Sequence, residues 1–123
     1  LSRVNRFLKI RNKIADFYNN EFKYSNLVKQ KIINNHYSSH HLYIILVPKE
    51  KHEIIFKKLR KCLFFVNLHY IPLFLHPIYL KKFDHKLFPN SMNYYQRAIS
   101  LPIYPGLKKK QLNRIVKIIK NFR

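Results

Sequence analysis

The middle of the chain carries an apolar run that changes into a polar and aromatic one, Val66-Asn67-Leu68-His69-Tyr70-Ile71-Pro72-Leu73-Phe74-Leu75-His76-Pro77-Ile78-Tyr79. Pro72 and Pro77 each fix their own φ and lack an amide donor, and each disfavours helical geometry in the preceding residue. The segment is therefore predicted to be neither a long helix nor a central strand. We expect a strand over residues 63–68 that ends near Tyr70 and continues as a stiff, irregular loop. Binding groups are often held on such loops.

The polar side chains of this segment suit a binding site. Asn67, His69, Tyr70 and Tyr79 offer hydrogen-bond donors, acceptors and aromatic faces that fit a sugar or a nucleotide. The residues alone leave a second interpretation open, in which the aromatic side chains belong to the core and the histidines pair with nearby backbone groups.

The segments on either side of this run alternate between helical and extended patterns. Apolar residues recur every three or four positions in residues 3–18, 49–62 and 112–122, which is typical of amphipathic helices. The unbroken apolar run of residues 42–47 predicts a strand buried on both faces. Weaker patterns predict a strand in residues 27–33, a short helix capped by Asn90 or Ser91 that runs to Arg97, and a strand and turn in residues 98–106. This order predicts an α+β domain in which helices flank a small sheet.

The length and composition predict one folded domain with a large positive charge. A chain of 123 residues with 47% apolar and 15% aromatic residues is long enough for one core. The net charge of +20 suggests nucleic acid or an acidic surface as a partner. However, the chain is also rich in Lys, Asn, Ile, Phe and Tyr, and Gly106 is its single glycine. We therefore favour a general drift in residue usage, and not selection for a basic face, as the origin of the positive charge.

Several chemistries are disfavoured by what the chain lacks. Its few carboxylates are dispersed, which argues against a pair for general acid–base catalysis. His69 and His76 could approach each other, but no third ligand completes a metal site. With one glycine, neither a nucleophile elbow nor a phosphate-cradling loop can be built. The lone Cys62 excludes an internal disulfide, and the prolines and polar groups of residues 63–79 argue against a membrane span.

Four blocks of sequence follow one another in an order known from one enzyme family. They are residues 41–43, residues 66–79, residues 94–107 and residues 112–116, and Arg11 and Tyr18 occupy matching places on the first helix. In these blocks the chain resembles the C-terminal region of the nucleotide-sugar aminotransferases of the DegT/DnrJ/StrS class. Within that class it is most similar to enzymes that aminate C4 of a UDP-linked 4-keto-6-deoxy-N-acetyl sugar on the way to pseudaminic acid.

The resemblance implies a dimeric, cytoplasmic enzyme of fold type I that uses pyridoxal phosphate, takes its amino group from glutamate and acts on a UDP-sugar. It also implies that residues 21–123 form the small domain, with an antiparallel or mixed sheet, and that residues 1–20 form the helix between domains. The Schiff-base lysine belongs to a large N-terminal domain outside this sequence. We therefore expect this chain alone to bind no cofactor and to catalyse nothing, and to need a separately encoded N-terminal half or a second copy.

The same resemblance assigns substrate-binding roles to Asn67, His69, Tyr70 and, at a place where the family usually has Gln, His76. No residue of this chain is expected to be catalytic or to bind a metal. Leu63 and Phe65 stand where the family usually has glycines, which predicts strain or an altered turn. Two alternatives stay open: a basic nucleic-acid-binding module, and a decayed remnant without a present function.

Overall fold

The structure is a computed structural model that describes residues 2–122. This part of the chain contains four α-helices, one three-stranded antiparallel sheet and two short 3₁₀ turns, Leu73–Leu75 and His85–Leu87. The α+β prediction with a small antiparallel sheet is therefore confirmed. The elements in order are α1 (Val4–Glu21), β1 (Val28–Lys29), β2 (Tyr43–Leu46), α2 (Lys49–Lys61), α3 (Pro89–Tyr95), β3 (Ala98–Leu101) and α4 (Lys109–Lys120).

The sheet has the order β1-β2-β3, with β2 in the centre. Ile45 lies opposite Ile99, and Tyr43 lies opposite Leu101. Proline follows directly after the last residue of β3 and two residues after that of β2, and its missing amide proton prevents the ladder from continuing. The far edge of β3 accepts one further antiparallel bridge, between Ser100 and Asn67.

The core lies between the sheet and α1, α2 and α4. Each of these helices buries one apolar face, as its sequence pattern predicts, and all four residues of β3 are buried. Ile45 and Ile99 are fully buried, and each contributes about 1.5–3 kcal/mol through burial. The buried helical residues are Ile14, Ala15 and Tyr18 of α1, Ile55 and Leu59 of α2, and Leu112, Ile115, Val116, Ile118 and Ile119 of α4.

The prediction that β2 is buried on both faces is wrong. Tyr43 and Ile45 are buried, whereas Ile44 and Leu46, which point to the opposite face, are half-exposed. An apolar run shows that a strand can be covered on both faces, but whether a second layer is present depends on distant parts of the chain.

The predicted strand over residues 63–68 is also wrong. Helix α2 ends in a turn where Leu63 donates to the carbonyl of Arg60 and Phe64 donates to that of Leu59. This is the Schellman arrangement, and it occupies backbone groups that a strand would need. Only Asn67, through its bridge to Ser100, pairs as a strand residue.

Two smaller expectations need correction. Neither Asn90 nor Ser91 caps α3, because the helix begins at Pro89 and has no side-chain cap. Proline suits the first helical position, where an amide donor would have no partner. The strand expected in residues 27–33 is reduced to the two residues of β1.

Among the described helices, none has the length and apolar character needed to cross a bilayer.

Candidate functional site

The predicted site is anchored to the outer edge of β3 by its first residue. Asn67 and Ser100 exchange two backbone hydrogen bonds, of 3.3 Å from the Asn67 amide and 2.9 Å from the Ser100 amide. The Asn67 side chain accepts a bond of 2.9 Å from the Leu68 amide. This local bond fixes the side chain beside its own backbone, while the residue as a whole stays exposed.

His69 is fixed to the same serine by its side chain. Its Nδ1 atom lies 2.7 Å from the Oγ atom of Ser100. Ser100 is buried, with 5% of its surface exposed, and His69 is half-exposed. Asn67, through its backbone, and His69, through its ring, therefore both contact the buried Ser100.

Tyr70 connects this cluster to an open groove. Its ring meets that of His69 edge to face, with centroids 4.6 Å apart and an interplanar angle of 84°. Tyr70 also lines a groove of about 690 Å³. The other lining residues are mostly aromatic or apolar: Pro72, Leu73, Phe74, Phe83, Phe88, Asn90, Ser91, Tyr94 and Tyr95.

His76 lies apart from these groups. Its Nε2 atom is 3.3 Å from the carbonyl oxygen of Ile71, and the side chain is exposed. It is not among the residues that line the groove. Tyr79, the other aromatic group of the sequence prediction, packs against Phe83 with ring centroids 6.1 Å apart. The structure thus groups Asn67, His69 and Tyr70 but not His76 or Tyr79.

Two features of the site are not visible in the local sequence pattern. Ser100 lies 31 residues from His69, and only the bridge to β3 brings them together. The far wall of the groove comes from α3 and the loop before it, where Phe88 stacks on Phe74 with centroids 4.8 Å apart. Burial raises the pKa of Tyr94, on the same wall, above its ordinary value, so this phenol remains a hydrogen-bond donor.

The cluster offers hydrogen-bonding groups and aromatic faces. Within residues 2–122, Ser100 is the sole hydrogen-bond partner of the His69 ring, so no carboxylate orients the imidazole as in a hydrolase triad. In the same part of the chain, no three potential ligands among His, Cys, Asp and Glu side chains are grouped for a metal ion.

Pyridoxal phosphate, which the resemblance implies, does not fit the residues present here. It needs a lysine for the Schiff base and an acidic partner for the pyridine nitrogen. Every lysine, aspartate and glutamate side chain, all of them within residues 2–122, is exposed or half-exposed. Three of the half-exposed charged side chains already have local partners. Lys29 donates to backbone carbonyls, and Lys120 pairs with Glu21 at 2.7 Å.

Comparisons with known proteins agree on one family. The chain is 29% identical to the spore coat polysaccharide biosynthesis protein SpsC of Bacillus subtilis, over 98% of this chain and 33% of that protein. It is 30% identical to the UDP-4-amino-4,6-dideoxy-N-acetyl-beta-L-altrosamine transaminase of Campylobacter jejuni, over 89% of this chain and 30% of the other. The chain thus spans about a third of the length of these curated relatives.

A solved structure gives the same result for the fold. Spr1654 of Streptococcus pneumoniae, described as a sugar aminotransferase and solved in its PMP form, superposes with a TM-score of 0.89 at 28% identity. The match covers 98% of this chain and 32% of that one. The sequence profile of the DegT/DnrJ/EryC1/StrS aminotransferases matches residues 1–120. The chain therefore belongs to the DegT/DnrJ/EryC1/StrS aminotransferase family.

Proposed function

We propose that this chain is the C-terminal small domain of a pyridoxal-phosphate-dependent nucleotide-sugar aminotransferase and is inactive without the large domain. The proposal rests on how much of each chain is matched. Almost the whole of this chain matches its relatives, but it spans only about a third of their length. In this proposal residues 1–20 form the helix between domains and residues 21–123 form the small domain. The comparisons give no support to a nucleic-acid-binding module.

The proposed reaction is amination of the 4-keto group of a UDP-linked 4-keto-6-deoxy-N-acetyl sugar, with glutamate as the donor. The established name of the Campylobacter jejuni relative, a transaminase of a UDP-linked 4,6-dideoxy-N-acetyl sugar, supports this substrate class. In our proposal Asn67, His69 and Tyr70 form one wall of the sugar-nucleotide site, and the open groove beside Tyr70 supports a ligand there. His76 is proposed as a more distant contact, since it lies outside the groove.

Exposed apolar side chains support the need for a partner. Monomeric proteins seldom expose large continuous apolar surfaces, and such surfaces usually mark an interaction site. Leu63, Phe65, Leu73 and Leu87 are between 70% and 83% exposed. We propose that a large domain, either separately encoded or belonging to a second copy, covers some of these side chains.

Assembly is the first test of the proposal. The unmatched two thirds of the Campylobacter jejuni transaminase would be produced separately, mixed with this chain and pyridoxal phosphate, and examined by sedimentation and absorbance. We expect a joint species that carries the cofactor absorbance band. The double variant Leu73→Lys/Leu87→Lys should weaken it, whereas Lys57→Glu, on an exposed part of α2, should not. Two species that sediment separately at all concentrations would contradict the proposal.

A further inference from the structure

The hydroxyl group of Ser100 has one hydrogen-bond partner within residues 2–122, the Nδ1 atom of His69 at 2.7 Å. Ser100 as a whole is buried, with 5% of its surface exposed. A buried donor without an acceptor is costly. Donation from Oγ to Nδ1 satisfies the serine proton, whereas the reverse direction would leave that proton without an acceptor.

Donation to Nδ1 determines which tautomer of the neutral imidazole is present. One ring nitrogen then accepts and the other carries the proton. We propose that Ser100 is a positioning residue that holds neutral His69 with its proton on Nε2, so that His69 presents a hydrogen-bond donor, and not a base, to its ligand. The hydrogen bond made by one ring nitrogen sets the role of the other in this way in many sites.

The surrounding contacts hold the pair in place. The two backbone bonds between Asn67 and Ser100 fix the segment that carries His69 against β3. The ring of Tyr70 lies edge to face against the imidazole, which restricts its rotation about the side-chain bonds. The position of Nδ1 is therefore determined by both the backbone and the neighbouring ring.

The proposal has a consequence for ligand chemistry, and this part rests on the proposed function. An Nε2–H group recognises an acceptor oxygen and cannot abstract a proton. If His69 lies in the sugar-nucleotide site, it binds an oxygen atom of the substrate and takes no part in proton transfer from its neutral form. His69 is then a specificity-determining residue.

Nitrogen-15 spectroscopy of the complete 123-residue chain tests the tautomer directly. At alkaline pH, where an ordinary imidazole is neutral, the wild-type spectrum should show an unprotonated Nδ1 and a protonated Nε2. Ser100→Ala should move both nitrogen resonances toward the averaged values of a mixture. Ser100→Thr keeps the hydroxyl and should restore the wild-type pattern, and Ser39→Ala, which removes an exposed hydroxyl, should leave it unchanged.

Two results would overturn the proposal. One is a proton on Nδ1 in the wild-type chain, and the other is an unchanged His69 spectrum in Ser100→Ala. Backbone amide spectra recorded on the same samples show whether each variant is folded. If Ser100→Ala does not fold, the wild-type spectrum alone is sufficient. It shows whether Nε2 carries the proton and is a donor, or lacks it and is an acceptor.

A pair of substitutions tests the ligand consequence in the assembled enzyme. In His69→Gln the side-chain amide nitrogen can occupy the place of Nε2, whereas in His69→Asn it can occupy only that of Nδ1. We expect His69→Gln to keep about tenfold higher kcat/KM, the size of one hydrogen bond. Equal losses would contradict a donor role. An assembled wild-type enzyme without activity would instead contradict the proposed function, and the tautomer would still be decided by spectroscopy.

Discussion

The hydroxyl group of Tyr18 donates a hydrogen bond of 3.0 Å to the backbone carbonyl of Pro102. It joins the last turn of α1 to the chain directly after β3, and both residues are buried. The Tyr18 ring also lies 5.0 Å from that of Tyr43 in β2. Burial raises the pKa of Tyr18 above its ordinary value, and nearby Tyr43 adds to this effect, so the phenol stays protonated as a donor.

Replacement of this donor should destabilise the fold measurably. Tyr18→Phe keeps the ring but leaves the Pro102 carbonyl without its partner, so we expect a loss of about 1–2 kcal/mol in the free energy of unfolding. Tyr24→Phe is the matched control, because Tyr24 is 85% exposed. Urea denaturation of both variants gives the comparison, and equal stability of the two would show that the bond contributes nothing.

Leu63 should gain from replacement by glycine. It has φ of 61° at the position in a Schellman turn that glycine prefers, and it is 83% exposed. Left-handed geometry costs an L-residue with a side chain about 1–2 kcal/mol. Removal of the exposed Leu63 side chain loses little apolar burial. After the entropic cost of glycine, we expect Leu63→Gly to raise the free energy of unfolding by about 0.5–1 kcal/mol.

Phe65→Gly is the control for this effect. Phe65 is 82% exposed, close to Leu63, but it is not among the residues with positive φ. Glycine therefore relieves no backbone strain at this position, and Phe65→Gly should lower the free energy of unfolding by about 0.5–1 kcal/mol. Changes of the same sign in both variants, measured by urea denaturation, would argue against backbone strain at Leu63.

Acid should weaken the fold through His40. Burial lowers the pKa of this side chain below its ordinary value, and the negative charge of Asp16 partly opposes the shift. The unfolded chain then binds more protons than the folded one as the pH falls below about 6.5, so stability is lost on acidification. Above that pH both states hold His40 neutral, and its contribution is constant.

Two substitutions separate His40 from other titrating groups. His40→Asn removes the titration and suits the positive φ of 44° at this position, since Asn tolerates left-handed geometry. The fall in stability between about pH 7.5 and 5.5 should be smaller in His40→Asn than in the wild type. It should be larger in Asp16→Asn, which lacks the opposing charge. A wild-type slope in both variants would exclude His40 as the cause.

The helices and central strands could be predicted because their signals are local. The apolar periodicity that defines α1, α2 and α4 lies within each helix, and the proline after β3 marks the end of that strand. The predicted strand over residues 63–68 failed because an apolar sequence does not show how the preceding helix is capped. Of Leu63 and Phe65, the two positions at which the sequence predicts strain or an altered turn, Leu63 has a positive φ and Phe65 does not.

The candidate site could be predicted only in part. Asn67, His69 and Tyr70 follow one another along the chain, so their proximity is largely a matter of sequence. Ser100 was missed as a site residue because its contact with His69 depends on a bridge between distant segments. The substrate-binding role of His76 is inferred from the resemblance alone, and in the structure its ring lies against the carbonyl of Ile71, outside the groove.

Glutamate-dependent amination by the assembled enzyme is the most direct test of the central claim. A UDP-linked 4-keto-6-deoxy-N-acetyl sugar would be incubated with the unmatched part of the Campylobacter jejuni transaminase, pyridoxal phosphate and glutamate, with and without this chain. We predict that the amino sugar forms only when both proteins are present. A cofactor-loaded joint species that forms product no faster than the large part alone would contradict the proposal that this chain completes an aminotransferase.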